Sequence, residues 1–155
     1  MADGRTHTVA TIVATIAAGT VAYALAGNAE FAGWVAAGSA LTLLVNPDTD
    51  QEGMDRNEHR LVRNTLGCGF IWLAVWYPYA VMFRHRGLSH VPIIGTLTRA
   101  AYMGAVLVLL AVAIEAVGSY RLVLDWPGTI TAVCGVVIGM AASDLLHWVM
   151  DGMAI

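Results

Sequence analysis

The chain contains no lysine and little charge of either sign. Of its 155 residues 12% are charged, its eight cations are all arginines, and the formal net charge is −3. This composition excludes an ordinary soluble domain, in which about a quarter of the residues are charged. A net charge this small, without a basic cluster, also excludes nucleic acid as an expected partner.

Cysteine is scarce as well. The chain has two, Cys68 and Cys134, and each stands alone inside an apolar segment. Isolated cysteines in such surroundings usually behave as small apolar side chains. We therefore expect both cysteines to be buried.

Long apolar runs are what the chain has in abundance. Hydrophobic residues make up 58% of it, and several runs approach the roughly 20 residues that cross a bilayer. We interpret the chain as all-α, a polytopic membrane helical bundle that forms a single integral-membrane domain over residues 1–155. The lipid bilayer is then its first partner. The apolar segments cover approximately residues 8–26, 31–45, 66–83, 100–117 and 128–150.

The third segment differs from the others in its aromatic content. It holds Trp72, Trp76, Tyr77 and Tyr79, and amphipathic aromatic side chains favour the headgroup level of a bilayer. Pro78 would also interrupt a straight span. We therefore predict four transmembrane helices plus an interfacial or re-entrant helix.

The arginines then fall almost entirely on one side. With four spans, the N-terminus, the 46–66 loop, the 84–99 loop and the C-terminus share a face that carries seven of the eight arginines. Only Arg121 is on the opposite face. The positive-inside rule assigns the arginine-rich face to the cytoplasm, which predicts a multi-pass protein of the inner (cytoplasmic) membrane.

Histidine and aspartate gather at the same predicted face. They come from four separate places: the start of the first segment, the NPDTD stretch, the HRGLSH stretch and the end of the last segment. In that last segment positions 144, 147 and 151 lie within about 60° of one another around a helix. The residues concerned are His7, Asp48, Asp50, His85, His90, Asp144, His147 and Asp151.

Each motif alone has an ordinary structural explanation. HRGLSH could cap helices or contact lipid headgroups, NPDTD could be a turn, and the helical stripe could be a packing contact. Together they predict a divalent metal site, because a cation compensates carboxylate charge and binds neutral imidazole. Mixed nitrogen and oxygen ligands suit a transition metal, most simply zinc or manganese, and their number allows one or two ions.

The order of these motifs resembles a known family. GRTH, NPDTD, HRGLSH followed by VPIIGT, and a late H-x-x-x-D are similar to the DUF2227 family of metal-binding bacterial membrane proteins, and more distantly to YdjM-like inner-membrane proteins described as metal-dependent hydrolases. Gln51 departs from the YdjM-like pattern, which often has a histidine there. The resemblance implies that Arg86 and Ser89 face the substrate or support the ligands. It also implies a metal-binding core of His7, Asp48, Asp50, His85, His90, His147 and Asp151.

Two function classes follow from these residues. The first is a metal-dependent hydrolase acting at the cytoplasmic face on a phosphoester or lipid-like substrate, since two-metal sites suit phosphoester hydrolysis. Asp144 would serve it as general base, and Arg86 would clamp a phosphate. The alternative is a non-catalytic metal-binding structural protein. A small transporter is disfavoured because few polar residues cross the predicted spans, and the oligomeric state is open.

Overall fold

The computed structural model describes residues 4–45, 69–83, 91, 93–118, 123–150 and 152. The described ranges contain helices and no strand, as the all-α prediction requires. Side chains are described from Thr6 onward. The helices are α1 (Gly4–Ala26), α2 (Ala29–Leu41), α3 (Gly69–Met82), α4 (Ile94–Val117) and α5 (Trp126–Met150).

Three of these helices are long and apolar enough to cross a membrane. They are Thr6–Ala26, Ile94–Val117 and Trp126–Met150, and their presence is consistent with a membrane protein. Helix α2 has 13 residues, a rise of about 20 Å against the roughly 30 Å of a hydrocarbon core. Helix α3 is also short, with 14 residues. The count of four spans plus a re-entrant helix therefore stays a prediction.

The predicted segments match the observed helices to within a few residues, apart from the start of α4. That helix begins at Ile94, six residues before the apolar run from which it was predicted. The polar residues Thr96 and Arg99, assigned by sequence to a loop, thus lie in its first turns. The apolar pattern missed them because a helix can hold polar side chains wherever a neighbouring helix supplies partners.

Helix α2 packs against both α1 and α5, and α1 also contacts α5. The α1–α2 connection is tight: Gly27 adopts a φ of 62°, and the Asn28 side chain caps α2 by accepting a 3.0 Å hydrogen bond from the Phe31 amide. Gly38 lies beside Val136, and further along both helices Thr42 meets Ser143. Helices α2 and α5 therefore run in the same direction.

The α2–α5 contact brings backbone against backbone. A Cβ atom built on Gly139 would collide with the carbonyl oxygen of Val35, and one built on Gly38 would lie 2.6 Å from the Cα of Val136. Only glycine fits at these two positions. Such close approach is typical of helix pairs in membranes, where small residues maximise van der Waals contact.

Helix α3 lies along the first half of α4. The Tyr79 hydroxyl is 3.0 Å from that of Thr98, and the Tyr102 hydroxyl donates to the carbonyl of Val75. Trp76 and Tyr79 are buried against Met140 of α5. Pro78 lies inside α3 and does not end it.

The second half of α4 is exposed and, apart from Glu115, apolar. Its large side chains project away from the other helices, as expected for a surface that meets lipid. Cys134 is exposed too, so the prediction that it is buried was wrong. A small apolar side chain costs little on a lipid-facing surface, and composition alone could not distinguish that surface from the bundle interior. The exposed side chains of α4 include Leu107, Val108, Leu109, Leu110, Val112 and Ile114.

Candidate metal centre

Polar contacts cluster at one end of the bundle. Here the start of α1 meets the end of α5, the residue that follows α2 meets the same part of α5, and the first turns of α4 reach it from another side. Four helix ends thus lie together. This is the arrangement expected if the separate sequence motifs form one site.

His7 and His147 provide the contact between the first and last helices. Their imidazole rings are stacked, with centroids 4.2 Å apart and planes inclined by 26°. Both side chains are half-buried. His7 lies in the first turn of α1 and His147 in the last turn of α5, so two residues far apart in the chain become neighbours only through the fold.

Asp144 lies one turn before His147 and is almost completely buried. Its Oδ2 atom accepts a hydrogen bond from a terminal nitrogen of the Arg99 guanidinium, which forms a salt bridge with it, and a 2.5 Å hydrogen bond from the Thr96 hydroxyl. Its Oδ1 atom is buried and has no hydrogen-bond partner in the described part of the chain. Among the described residues, the carboxylate is therefore held through one of its two oxygens.

Hydrogen-bonded hydroxyl groups extend the polar interior from this end of the bundle along the helices. The Thr42 hydroxyl donates to the Ser39 carbonyl at 2.7 Å and lies 2.6 Å from the Ser143 hydroxyl. The Thr15 hydroxyl donates to that of Ser39 at 3.2 Å. These groups satisfy one another, as buried hydroxyls must, and they join α1, α2 and α5.

Of the nine predicted site residues, three are described: His7, His147 and Asp144. The structure brings the two histidines together and places Asp144 on the adjoining turn. The predictions for the other six, and for Ser89, lie outside the described residues and stay predictions. Those six are Asp48, Asp50, His85, Arg86, His90 and Asp151.

The histidine pair fits a metal in part. Neutral imidazole nitrogen is a usual ligand of zinc and other transition metals, and two adjacent rings supply two such donors. Within the described residues no group of three or more histidine, cysteine, aspartate or glutamate side chains could hold an ion. A four-coordinate site would need further ligands from the predicted set.

Sequence reasoning missed the role of Arg99 and Thr96. The arginine asymmetry places Arg99 in the 84–99 loop as one of the cations of the cytoplasmic face, whereas the structure places it in α4 with a side chain that is 0% exposed. A signal was present in the sequence: Asp144 lies in an apolar helix, and a carboxylate there requires a partner. The side chains of the other arginines lie outside the described part of the chain.

Comparison with known proteins identifies the family. The chain belongs to the family described as "Uncharacterized metal-binding protein (DUF2227)", whose profile matches residues 2–155. The description assigns metal binding and does not name the metal. Searches of the curated proteins and of the solved structures give no match.

Proposed function

We propose that this protein is a membrane-embedded metal-dependent hydrolase whose site lies at the polar end of the bundle, facing the cytoplasm from the inner membrane. The stacking of His7 on His147 carries the proposal, because it joins two predicted ligands from distant parts of the chain. Membership of a metal-binding family supports it. The remaining proposed ligands are Asp48, Asp50, His85, His90 and Asp151.

The proposed chemistry assigns roles to three kinds of residue. The histidines and aspartates would hold one or two divalent ions, zinc or manganese, which supply Lewis-acid activation of water and of the scissile bond. Arg86 would bind a phosphate group through its planar guanidinium. Asp144 would act as general base through Oδ1, because Oδ2 is held by Arg99 and Thr96.

The substrate class follows from the surroundings of the site. The helices that carry it present large exposed apolar side chains, so a substrate that arrives along a bilayer meets the site at headgroup depth. We therefore propose a phosphoester on a lipid-like amphiphile. The choice of a hydrolytic reaction at this site rests on the resemblance of the sequence motifs to those of the YdjM-like proteins.

One observation favours a second candidate, a structural metal. His7 and His147 join the first and last helices, so a metal whose positions are all filled by protein would clamp the bundle shut. Structural sites are closed, whereas catalytic sites keep a position open to water. X-ray absorption spectroscopy of the zinc-loaded protein distinguishes the two by the number of protein and water ligands.

The metal content of the detergent-purified protein tests the site itself. We expect about one or two transition-metal ions per chain by mass spectrometry in the wild type, and a loss of bound metal in both His7→Ala and His147→Ala. His59→Ala is the matched control, since the sequence places His59 outside the predicted ligand set. A wild type that stays metal-free after incubation with zinc or manganese would refute the proposal.

Catalysis needs a separate measurement. We expect the zinc- or manganese-loaded protein to hydrolyse bis(p-nitrophenyl) phosphate, and Arg86→Met to lower the rate by about 100-fold, as for other transition-state hydrogen-bond donors. Full metal content without turnover of this ester or of phospholipid in mixed micelles would favour the structural metal.

A further inference from the structure

Arg99 and Asp144 form an enclosed ion pair, and the proposed chemistry uses the Oδ1 atom of Asp144 but gives no role to Arg99. Their side chains are 0% and 3% exposed, and Thr96 adds a hydroxyl donor to the same carboxylate oxygen. Ionisable residues buried inside a helical bundle are costly and usually serve a function. The pair connects the first turns of α4 to the last turns of α5.

The position of this connection relates it to the metal centre. Along α5, Asp144 precedes His147 by three residues, about 4.5 Å along the helix axis. Along α4, Thr96 and Arg99 follow the HRGLSH stretch closely in sequence. The pair therefore joins the two elements that carry, or directly follow, predicted ligands from separate motifs.

The entry to α4 is also strained. Ile93, the residue before the helix, has a φ of 72°, which a β-branched residue rarely adopts. Such a conformation persists only where the surrounding structure determines it. The hydrogen bonds from Thr96 and Arg99 to Asp144 begin one turn later and hold the start of the helix in place.

We propose that Arg99, with Thr96, is a positioning residue for the metal centre: through Oδ2 of Asp144 it ties the first turns of α4, which follow the HRGLSH stretch in the sequence, to the part of α5 that carries His147. The inference depends on the proposed function, since it concerns the same site. Beyond the proposed function, the inference assigns the ion pair a role in positioning metal ligands without binding the metal itself.

The contribution of such a pair to the stability of the fold does not explain its presence. Replacing a buried ion pair by apolar residues of similar volume is often neutral or stabilising, whereas removing one partner is strongly destabilising. Some residues hydrogen-bond to metal ligands without binding the metal themselves. Mutation of such a residue typically lowers the metal affinity by about 10–100-fold. Affinity and stability therefore respond differently if the pair has a positioning role.

The experiment measures zinc affinity, by competition with a fluorescent chelator, and the unfolding temperature of the detergent-purified full chain. The variants are Arg99→Met, Asp144→Leu, the double variant Arg99→Met/Asp144→Leu, and Arg99→Lys. Tyr102→Phe is the control, because it removes a hydrogen bond between α4 and α3 away from the pair.

We expect Arg99→Met to weaken zinc binding by about 10–100-fold without changing its stoichiometry, and Arg99→Lys to retain most of the affinity. The double variant should recover the unfolding temperature and keep the weakened binding. Tyr102→Phe should lower the unfolding temperature and leave the affinity unchanged. If Arg99→Met does not fold, zinc affinity and unfolding temperature are compared in the double variant and in Arg99→Lys instead.

Three results would overturn the inference. Zinc affinity that stays unchanged in Arg99→Met would mean that the pair does not position the site. Affinity that recovers together with the unfolding temperature in the double variant would mean that the pair acts through stability alone. Affinity that rises in Arg99→Met would mean that the Asp144 carboxylate binds the metal itself and that the guanidinium opposes it. Failure of the proposed metal site is distinguishable, because the wild type would then bind no zinc, and failure of the proposed catalysis alone is distinguishable by zinc binding without turnover.

Discussion

Helix α5 is held by two neighbours in different ways. Helix α2 approaches it so closely that glycine is required at Gly38 and Gly139. Helix α4 is joined to it by the buried ion pair of Arg99 and Asp144. The first contact is close van der Waals packing and the second is a salt bridge. Both lie within a few turns of each other on α5.

The two contacts differ in what each would contribute to a helical bundle in a membrane. Without a hydrophobic driving force between helices in lipid, close packing of small residues supplies the general adhesion. A buried ion pair stabilises the contact less, but it restricts the two helices to one relative position because its atoms must meet in one arrangement. The proposed metal centre would need such definition at the polar end of the bundle, where His7 meets His147.

The largest effect should come from breaking the ion pair on one side. Arg99→Met leaves the Asp144 carboxylate buried without its cation, and we expect it to lower the free energy of unfolding by about 3–5 kcal/mol. The double variant Arg99→Met/Asp144→Leu should recover most of this loss. Unfolding in mixed dodecyl sulfate micelles measures both. Equal stability of the single and double variants would contradict the assignment of a buried charge pair.

A smaller effect is expected at the glycine contact. Gly139→Ala places a Cβ against the backbone of Val35, and overpacking of this kind costs about 1–3 kcal/mol. Gly104→Ala in α4 is the matched control, since a Cβ there meets nothing within 4 Å. The control should stay within about 1 kcal/mol of wild type. Similar losses in the two variants would show that helix α2 does not approach α5 closely.

The smallest effect concerns the contact between α3 and α4. Tyr102→Phe removes the hydroxyl that donates to the Val75 carbonyl and should lower the unfolding free energy by about 0.5–1.5 kcal/mol. The same unfolding assay detects it. A loss as large as that of Arg99→Met would mean that α3 is more than a peripheral element of the bundle.

Much of the helical layout could be predicted from the apolar runs. Helices α1, α3 and α5 begin and end within a few residues of the predicted segments. The start of α4 could not be predicted in this way, because polar residues such as Thr96 and Arg99 indicate a loop unless a partner such as Asp144 is known to lie opposite them. The exposed position of Cys134 was missed for a related reason: an apolar helix looks the same in sequence whether a side chain meets lipid or protein.

The sequence by itself determined the all-α class, most of the helix bounds, and the residue types able to bind a metal. Hydrophobicity and helical periodicity are local properties of the chain, so they can be read one segment at a time. Only the tertiary structure decided that His7 stacks on His147 and that Arg99 pairs with Asp144. Pairing across a bundle depends on how helices rotate and slide against one another, and that is a property of several segments at once; the backbone contacts at Gly38 and Gly139 are the closest such fit between α2 and α5 that the sequence alone does not reveal.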